Sequence, residues 1–388
     1  MKWNLIRTKV LAALAACLVV GVGGTLVLMQ YSFARNSQAL AVESVSGAQK
    51  LFTILETREI SKMTAVSESL IVNPLVRDAF AGRDRNRLIE LTAPLYSRFK
   101  SQGITNWSFY TPEPDAAFFL RLHNLGKFGD ISMKRFMVDE IARTHSIVAG
   151  NELARAGFAV RILRPIYDAR GKETGYLEFG EELGQFIHAM KSQTGDDYGL
   201  LLSKKFMDQQ AWADSNAVWN RRDNWNDNPD FVVADKTTAT ESIMRFQGNL
   251  AAVPDQGKVL ERFRDGNSVF VRGLFPIRDA AGNVVGAMFV VRDISSVYAA
   301  MRRTQNILVL LTVVSLTGGI FLVLTLLNRL VFRRLRHIIA VATRVVGGDY
   351  ESEIRVGSDD EVGQFEQLFE QFRRVFVDLL AHMPELQG

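Results

Sequence analysis

The chain has 388 residues, a formal charge of +4, one cysteine and five scattered histidines. That length allows two or three domains. The single Cys17 excludes a disulfide framework, and no Cys/His grouping has zinc-ligand spacing. Much of the positive charge flanks two apolar runs, which fits anionic lipid headgroups better than nucleic acid.

Residues 1–9 form a basic tail containing Lys2, Arg7 and Lys9, followed by residues 10–29, which contain no Asp, Glu, Lys, Arg or His. About 20 apolar residues suffice to cross a hydrocarbon core, and a helix satisfies every backbone group internally. A first transmembrane helix is therefore expected over 10–30. Ser32-Phe33-Ala34 would suit a signal-peptide cleavage site. The apolar run, however, exceeds the usual ~7–15 residues of a signal peptide and leads into a helical pattern, so a retained anchor is expected.

Residues 31–303 are polar enough to lie outside a membrane. The spacing of Val45, Ala48, Phe52 and Leu55, then Met63, Val66 and Leu70, predicts an amphipathic helix over 37–72, ended by Asn73-Pro74. A shorter helix is predicted over 83–102. Strands follow at 107–110 and 118–123, joined by a turn at Pro112–Asp115. Residues 160–175 and 271–286 then repeat one another, sharing Val160/Val271, Arg161/Arg272, Leu163/Leu274, Pro165/Pro276, Ile166/Ile277, Asp168/Asp279, Ala169/Ala280, Gly171/Gly282 and Gly175/Gly286. Each copy reads as strand, turn, strand, and the period is too long for a solenoid, so it marks a duplicated domain. In the second copy a helix is predicted over 182–194 and a strand over 198–203. The polar, Asn- and Trp-rich stretch 214–235 reads as irregular surface.

A second uncharged run, 306–328, predicts a second transmembrane helix, with Arg329, Arg333, Arg334 and Arg336 just beyond it. Arg35, Arg302 and Arg303 lie at the opposite ends, but the basic flanks favour both termini in the cytoplasm. Leu335, Ile339, Ala342 and Val346 then step at heptad spacing up to Gly347-Gly348. Val362, Phe365, Phe369, Phe372, Phe376 and Leu379 step likewise after an Asp359 or Asp360 cap. Two such short helices bury their stripes in a parallel bundle of two chains. Residues 381–388 are a short tail; His382, with Pro384 close behind and no kinase domain, is not read as a phospho-acceptor.

The order of these features resembles bacterial transmembrane sensors with a double-Cache extracytoplasmic domain. The tandem hairpins, the long leading helix and Arg292-Asp-Ile-Ser295 running into the second span carry the likeness over about 37–298. So do Phe119-Leu-Arg-Leu-His123 with Phe128-Gly-Asp130, and Gly175-Tyr-Leu-Glu-Phe-Gly180 leading to Gly195-Asp-Asp-Tyr198. The resemblance implies an α/β (α+β) fold of two PAS-like lobes, a membrane-distal one at about 73–181 and a proximal one at about 182–294. It also implies a ligand in the distal lobe. Residues 329–380 resemble a HAMP domain, through Gly348-Asp349-Tyr350 and Asp360-Glu361-Val362-Gly363, although Arg334 stands near the place of the family's proline. That implies a parallel four-helix coiled coil in a dimer.

Strand alternation would put Phe119, Arg121 and His123 on one face, with Phe118, Leu120 and Leu122 on the other. Tyr176 and Glu178 would share a face across the sheet. Arg121 beside His123, with Lys127 just past the strand, could hold a carboxylate or phosphate, and Tyr110 and Arg161 complete the candidate ligand-binding set. The competing structural role has Arg121 paired with Asp130 or Glu178, and the recurrence of Arg161 as Arg272 favours structure at that position. No nucleophile elbow, Gly-rich phosphate loop or metal cluster is present, and Asp168 and Asp279 sit in turns where Asp serves the backbone. The expectation is a non-enzymatic inner-membrane signal receptor without cofactor or metal, which binds a small extracytoplasmic ligand and dimerises through its outer helices and its HAMP bundle. Its output would come from an unidentified cytoplasmic protein. Alternatively, the chain is the input half of a histidine kinase, cyclase or methyl-accepting chemotaxis protein, or a regulator forming mixed dimers with full-length receptors.

Overall fold

The structure, a computed structural model, describes residues 3–112, 114–131, 135–154, 157–218, 220–240, 244–357 and 359–381, with side chains described from residue 12 onward except at 154, 218, 380 and 381. The tail at 382–388, with His382, lies outside the described residues. Two compact units are present, one of Phe33–Ala300 and one of Met1–Ser32 with Met301–Gly388.

Helix α1 (Trp3–Ile71) includes both the first apolar run and the amphipathic stretch. Its predicted stripe is buried at Val45, Ala48, Phe52, Leu55, Met63 and Leu70. A helix absent from the sequence reading follows, α2 (Pro74–Ala81). Pro74 stands at its first turn and Asn73 accepts the Leu75 amide, so the pair that ends α1 also starts α2. Next come α3 (Arg85–Lys100), β1 (Asn106–Tyr110), β2 (Phe118–Arg121), α4 (Phe136–Thr144), β3 (Val148–Ala154), β4 (Gly157–Tyr167) and β5 (Glu173–Glu182). The five strands form an antiparallel sheet in the order β2-β1-β5-β4-β3, the first lobe.

The second lobe begins with α5 (Gly184–Thr194), β6 (Asp197–Ser203), α6 (Gln209–Val218) and β7 (Phe231–Lys236). It continues with β8 (Lys258–Val259), β9 (Phe263–Asp265), β10 (Ser268–Arg278) and β11 (Val284–Asp293), and its sheet runs β7-β6-β11-β10-β8, with β9 also on β10. The repeated hairpins are β4–β5 and β10–β11. In both turns the aspartate holds the chain: Asp168 accepts the Arg170 and Lys172 amides, and Asp279 that of Asn283. Gly171 and Gly282 take φ of 79° and 84°, a conformation open to glycine. The irregular reading of 214–235 is overturned. Asp208 caps α6 through the Ala211 amide, and β7 pairs along β6. The tertiary pairing of Phe231–Val233 outweighs the polar composition around it.

One core serves both lobes. The α1 stripe packs with Leu88, Trp107, Phe109 and Phe179 of the first lobe and with Phe186, Tyr198, Phe275 and Met288 of the second. Phe52 touches the rings of Phe186 and Phe275 at 6.0 and 5.9 Å between centroids.

The other unit contains α7 (Ser295–Leu327) from Met301 on, then a π-helical turn at Asn328–Phe332, α8 (Arg333–Val346) and α9 (Glu361–Ala381). Ala12–Ile71 and Ser295–Val346 include windows of mean hydropathy 2.3 and 2.7, long and apolar enough to cross a membrane. Between α8 and α9 the buried seam is Ile338, Val341, Val345 and Ile354 with Leu335 and Phe369. Ile339 and Val346 are exposed in the single chain, where α9 covers the neighbouring stripe of α8. Arg334 bridges the helices: its guanidinium meets Glu366 at 2.9 and 2.5 Å and Asp360 at 2.9 Å. Asp360 caps α9 through the Gly363 amide.

A second anchor ties α1 to the first lobe. Glu59 and Glu181 are both buried beside Lys62, which reaches both carboxylates and the Gln102 carbonyl. Burial first, and then the adjacent Glu59 charge, push the Glu181 carboxyl up to about 7 against the pull of Lys62. The folded chain thus retains a proton that the unfolded chain releases near its ordinary carboxylate value. The stabilisation is full below that value and is lost as pH rises towards 7. Between pH 5 and 8 the melting temperature of the full chain is expected to fall more than that of Glu181→Gln, each kcal/mol being worth about 2–4 °C. Parallel pH profiles of the two proteins would contradict the shared proton.

Candidate functional site

The first-lobe sheet gathers its charges on one face. β5 is the central strand, with Glu178 opposite Ser108 of β1 and Leu163 of β4, while Tyr110 pairs with Tyr176 and Arg161 with Gly180. Period-2 alternation puts Tyr110, Tyr176, Glu178 and Arg161 on one side. Gly180 leaves room for Arg161 to reach along that face; a Cβ there would stand 3.2 Å from Arg161 Nη1.

Glu178 is 1% exposed and sits at the centre of a charge network. It accepts from Arg161 Nη1 at 2.6 Å, from Arg135 Nη1 and Nη2 at 3.1 and 2.9 Å, and from the Tyr110 hydroxyl. Arg135 also donates to Glu152 on β3 and, at 2.5 Å, to Tyr110. Burial alone would push the Glu178 carboxyl up. The Arg135 and Arg161 charges, with hydrogen bonds from Arg135 and Tyr110, outweigh it and hold the carboxyl well below the usual range. Tyr110 moves the other way, raised by burial against Arg135 and with Glu178. Among the described residues, two buried polar atoms beside this network have no hydrogen-bond partner, Arg161 Nε and Glu152 Oε1, although Nε stands 3.6 Å from Glu152 Oε2.

The strand containing Arg121 departs from the sequence reading. The β1–β2 register shifts at Phe109/Tyr110, so Phe118 faces Tyr110 and Leu120 faces Phe109, leaving Phe119 unpaired. That bulge puts Phe118 and Arg121 on the same side, with the guanidinium 3.2 Å from the Phe118 ring centroid, and sends Phe119 to Phe80 on the other. The strand ends at Arg121, and His123 lies in the following turn.

Arg121 is buried and its guanidinium is engaged: it meets Asp130 bidentately at 2.6 and 2.7 Å and donates to the Lys127 carbonyl at 3.0 Å. This is the structural pairing considered from sequence. Lys127 is exposed, and its backbone rather than its ammonium meets Arg121. His123 is exposed on the rim, yet enough protein crowds it that desolvation, followed by the Arg161 and Arg121 charges, lowers its pKa against the pull of Glu178. Tyr110 and Arg161 thus meet at Glu178, His123 senses both arginines, and Arg121 with Lys127 closes a separate turn. Arg135 and Glu152 were missed. Arg135 lies at the start of α4 and Glu152 on an edge strand whose place follows only from the sheet order.

In the second lobe Arg272, the counterpart of Arg161, donates to the Arg245 carbonyl at 3.3 Å and lies over the Phe263 ring. The two lobes therefore use the repeated arginine differently.

Residues 48–226 match a sensory-domain family. The matching family model, dCache_3, is described as a double sensory domain of two-component sensor kinase. The match takes in the whole first lobe and ends before β7, shorter than the 37–298 of the sequence resemblance. Among solved structures, the chain is similar to the periplasmic domain of Vibrio cholerae LuxQ (12% identity, TM-score 0.40, covering 64% of this chain and 98% of that one). It is also similar to the ligand-binding domain of Campylobacter jejuni chemoreceptor Tlp3 in complex with 4-methylisoleucine (11% identity, TM-score 0.40, 67% and 91%). The sensory domain of Tlp3 with isoleucine bound gives 11% identity and a TM-score of 0.40, over 69% and 96%. No curated protein matches the chain.

Glu178→Gln leaves Arg135 and Arg161 without their central counter-ion. A loss of about 3–5 kcal/mol is expected in chemical unfolding of the full chain, the cost of breaking a buried ion pair from one side. Asp130→Asn, at a half-exposed site, should cost clearly less. Equal losses would place the stabilising centre elsewhere.

Proposed function

We propose that the chain is a bacterial inner-membrane receptor whose first lobe, the membrane-distal one, binds a small ligand outside the cytoplasm. The observation that carries the reading is a match to a double sensory domain lying between two helices of membrane-spanning length. The basic flanks, Lys2, Arg7 and Lys9 before the first and Arg329, Arg333, Arg334 and Arg336 after the second, favour both termini inside. The ligand state passes along α7 to the α8–α9 pair, which behaves as a HAMP-type relay and completes its packing with a second copy. Phe365, Leu368, Phe372, Phe376 and Leu379 are exposed in the single chain, a stripe that a partner helix would bury. The role is signalling rather than catalysis, with a separate cytoplasmic protein or domain as output.

The ligand class follows from the network. Arg135 and Arg161 balance Glu152 and Glu178, so a simple anion gains no net field there. A carboxylate directed at Arg161 Nε suits the unused donor, and the unused Glu152 Oε1 calls for a donor on the same ligand. A small carboxylate that also bears an amine or hydroxyl meets both. Tyr110 and His123 border the cluster, and Arg121 and Lys127 shape the turn beside it.

A thermal-shift panel of amino acids and hydroxy acids on the full chain in nanodiscs tests this, followed by titration of any hit against Arg161→Lys. Lysine keeps the charge but not the fork, so affinity is expected to fall at least about tenfold, or about 1.4 kcal/mol. Unchanged affinity would remove Arg161 from the site, and binding of plain carboxylates equal to that of amino or hydroxy acids would remove the Glu152 role.

A further inference from the structure

The second lobe has a recess of its own. A cavity of about 830 Å³ opens along the edge strand β7, walled by Trp212 and Asn216 of α6, Phe231 of β7, and Phe246, with Arg221 and Arg245 at its margin. Its size falls in the range of small-molecule sites. It exists because the connection between β6 and β7 is long enough to fold α6 and lay it beside the sheet edge. The matching connection of the first lobe, between β1 and β2, has no helix.

Three independent features of the lining point to an occupant. Asn216 is 5% exposed, and among the described residues its Nδ2 donor is buried without a hydrogen-bond partner. A buried amide in that state calls for an acceptor, which a ligand would supply. Second, the lining contains four cations, Arg221, Arg222, Lys236 and Arg245, against Asp227 and Asp235. Arg222 is taken by Asp227 at 2.8 Å, whereas among the described residues neither Arg221 nor Arg245 has an ion-pair partner. Third, the walls are aromatic and already fixed. The Phe231 and Phe246 rings lie 6.1 Å apart, and Trp212 is held by its indole N–H donating to Asn224 Oδ1 at 3.2 Å, while Asn224 in turn binds the Val233 carbonyl.

We infer that the second lobe has its own ligand site, in which Arg221, Arg245 and Asn216 hold the charged end of an aromatic carboxylate while Trp212, Phe231 and Phe246 hold its ring. A rigid flat body suits fixed aromatic walls at little entropic cost. The two free guanidiniums select an anion, and the Asn216 amide supplies a directional donor. A smaller cavity of about 260 Å³ shares Asn216 and Arg221 with this one and reaches Arg161 in the first lobe.

Isothermal titration of the full chain in nanodiscs with 2-naphthoate, and with neutral 2-naphthamide as the comparison, tests the assignment. Saturable naphthoate binding is expected, at least tenfold weaker in both Arg221→Gln and Arg245→Gln and absent for the amide. Both arginines are exposed, so the variants should melt with the parent protein. Tyr110→Phe, in the first-lobe network, should leave naphthoate binding unchanged, which separates this site from the one proposed above. No saturable naphthoate binding, equal binding of the amide, or full affinity in the two arginine variants would each overturn it.

Discussion

The buried stripe of α1 is the constraint on which the rest of the Phe33–Ala300 unit depends. Val45, Phe52, Met63 and Leu70 belong to a core that also contains Trp107 and Phe179 from one sheet and Tyr198 and Phe275 from the other. Among the described residues this is the most extensive buried cluster, so the helix is shared interior rather than an attachment. Full burial of each large apolar side chain contributes about 1.5–3 kcal/mol, and truncating one leaves a cavity as well. Polar contacts follow the same line. Glu56 on α1 accepts from Asn151 of the first lobe, whose carbonyl accepts the Ala280 amide of the second. Lys62 ties Glu59 to Glu181.

The first-lobe charge network and the second-lobe recess sit on this frame and differ in kind. The first-lobe network is charge-balanced and tightly bonded, with two polar atoms left over. A ligand at the proposed first-lobe site would have to exchange bonds within this existing network. The second-lobe recess is roomier, net basic and aromatic. The same hairpin occurs in both lobes, but the second has the long β6–β7 connection and a different setting for Arg272.

Much of this was legible in the residues, for physical reasons that can be named. The α1 stripe announced itself by 3-4 spacing, and the repeated hairpins by Asp-Ala-x-Gly, because an Asp-capped turn with glycine at positive φ leaves few other sequences. Two apolar runs without charge could hardly be anything but span-length helices. The failures are equally specific. The bulge at Phe119 reversed the facing of Phe118 relative to Arg121, and no local pattern marks a bulge whose extra residue is itself a good strand former. Arg135 was invisible because its partners come from three strands that only the sheet order brings together. Residues 214–235 looked irregular because α6 is held by an Asp208 cap and by packing of Trp212, not by an apolar stripe.

One helix face unites the two lobes, so that a disturbance of it is felt in both sheets. Native-state hydrogen exchange on the full chain, comparing the parent with Phe52→Ala, tests it most directly. Faster exchange is expected in β1 and β5 of the first lobe and in β6 and β11 of the second, by similar factors, since Phe52 lies in the core common to them. Acceleration confined to the second lobe, where its aromatic neighbours Phe186 and Phe275 lie, would show two independently stable lobes and contradict the shared interior.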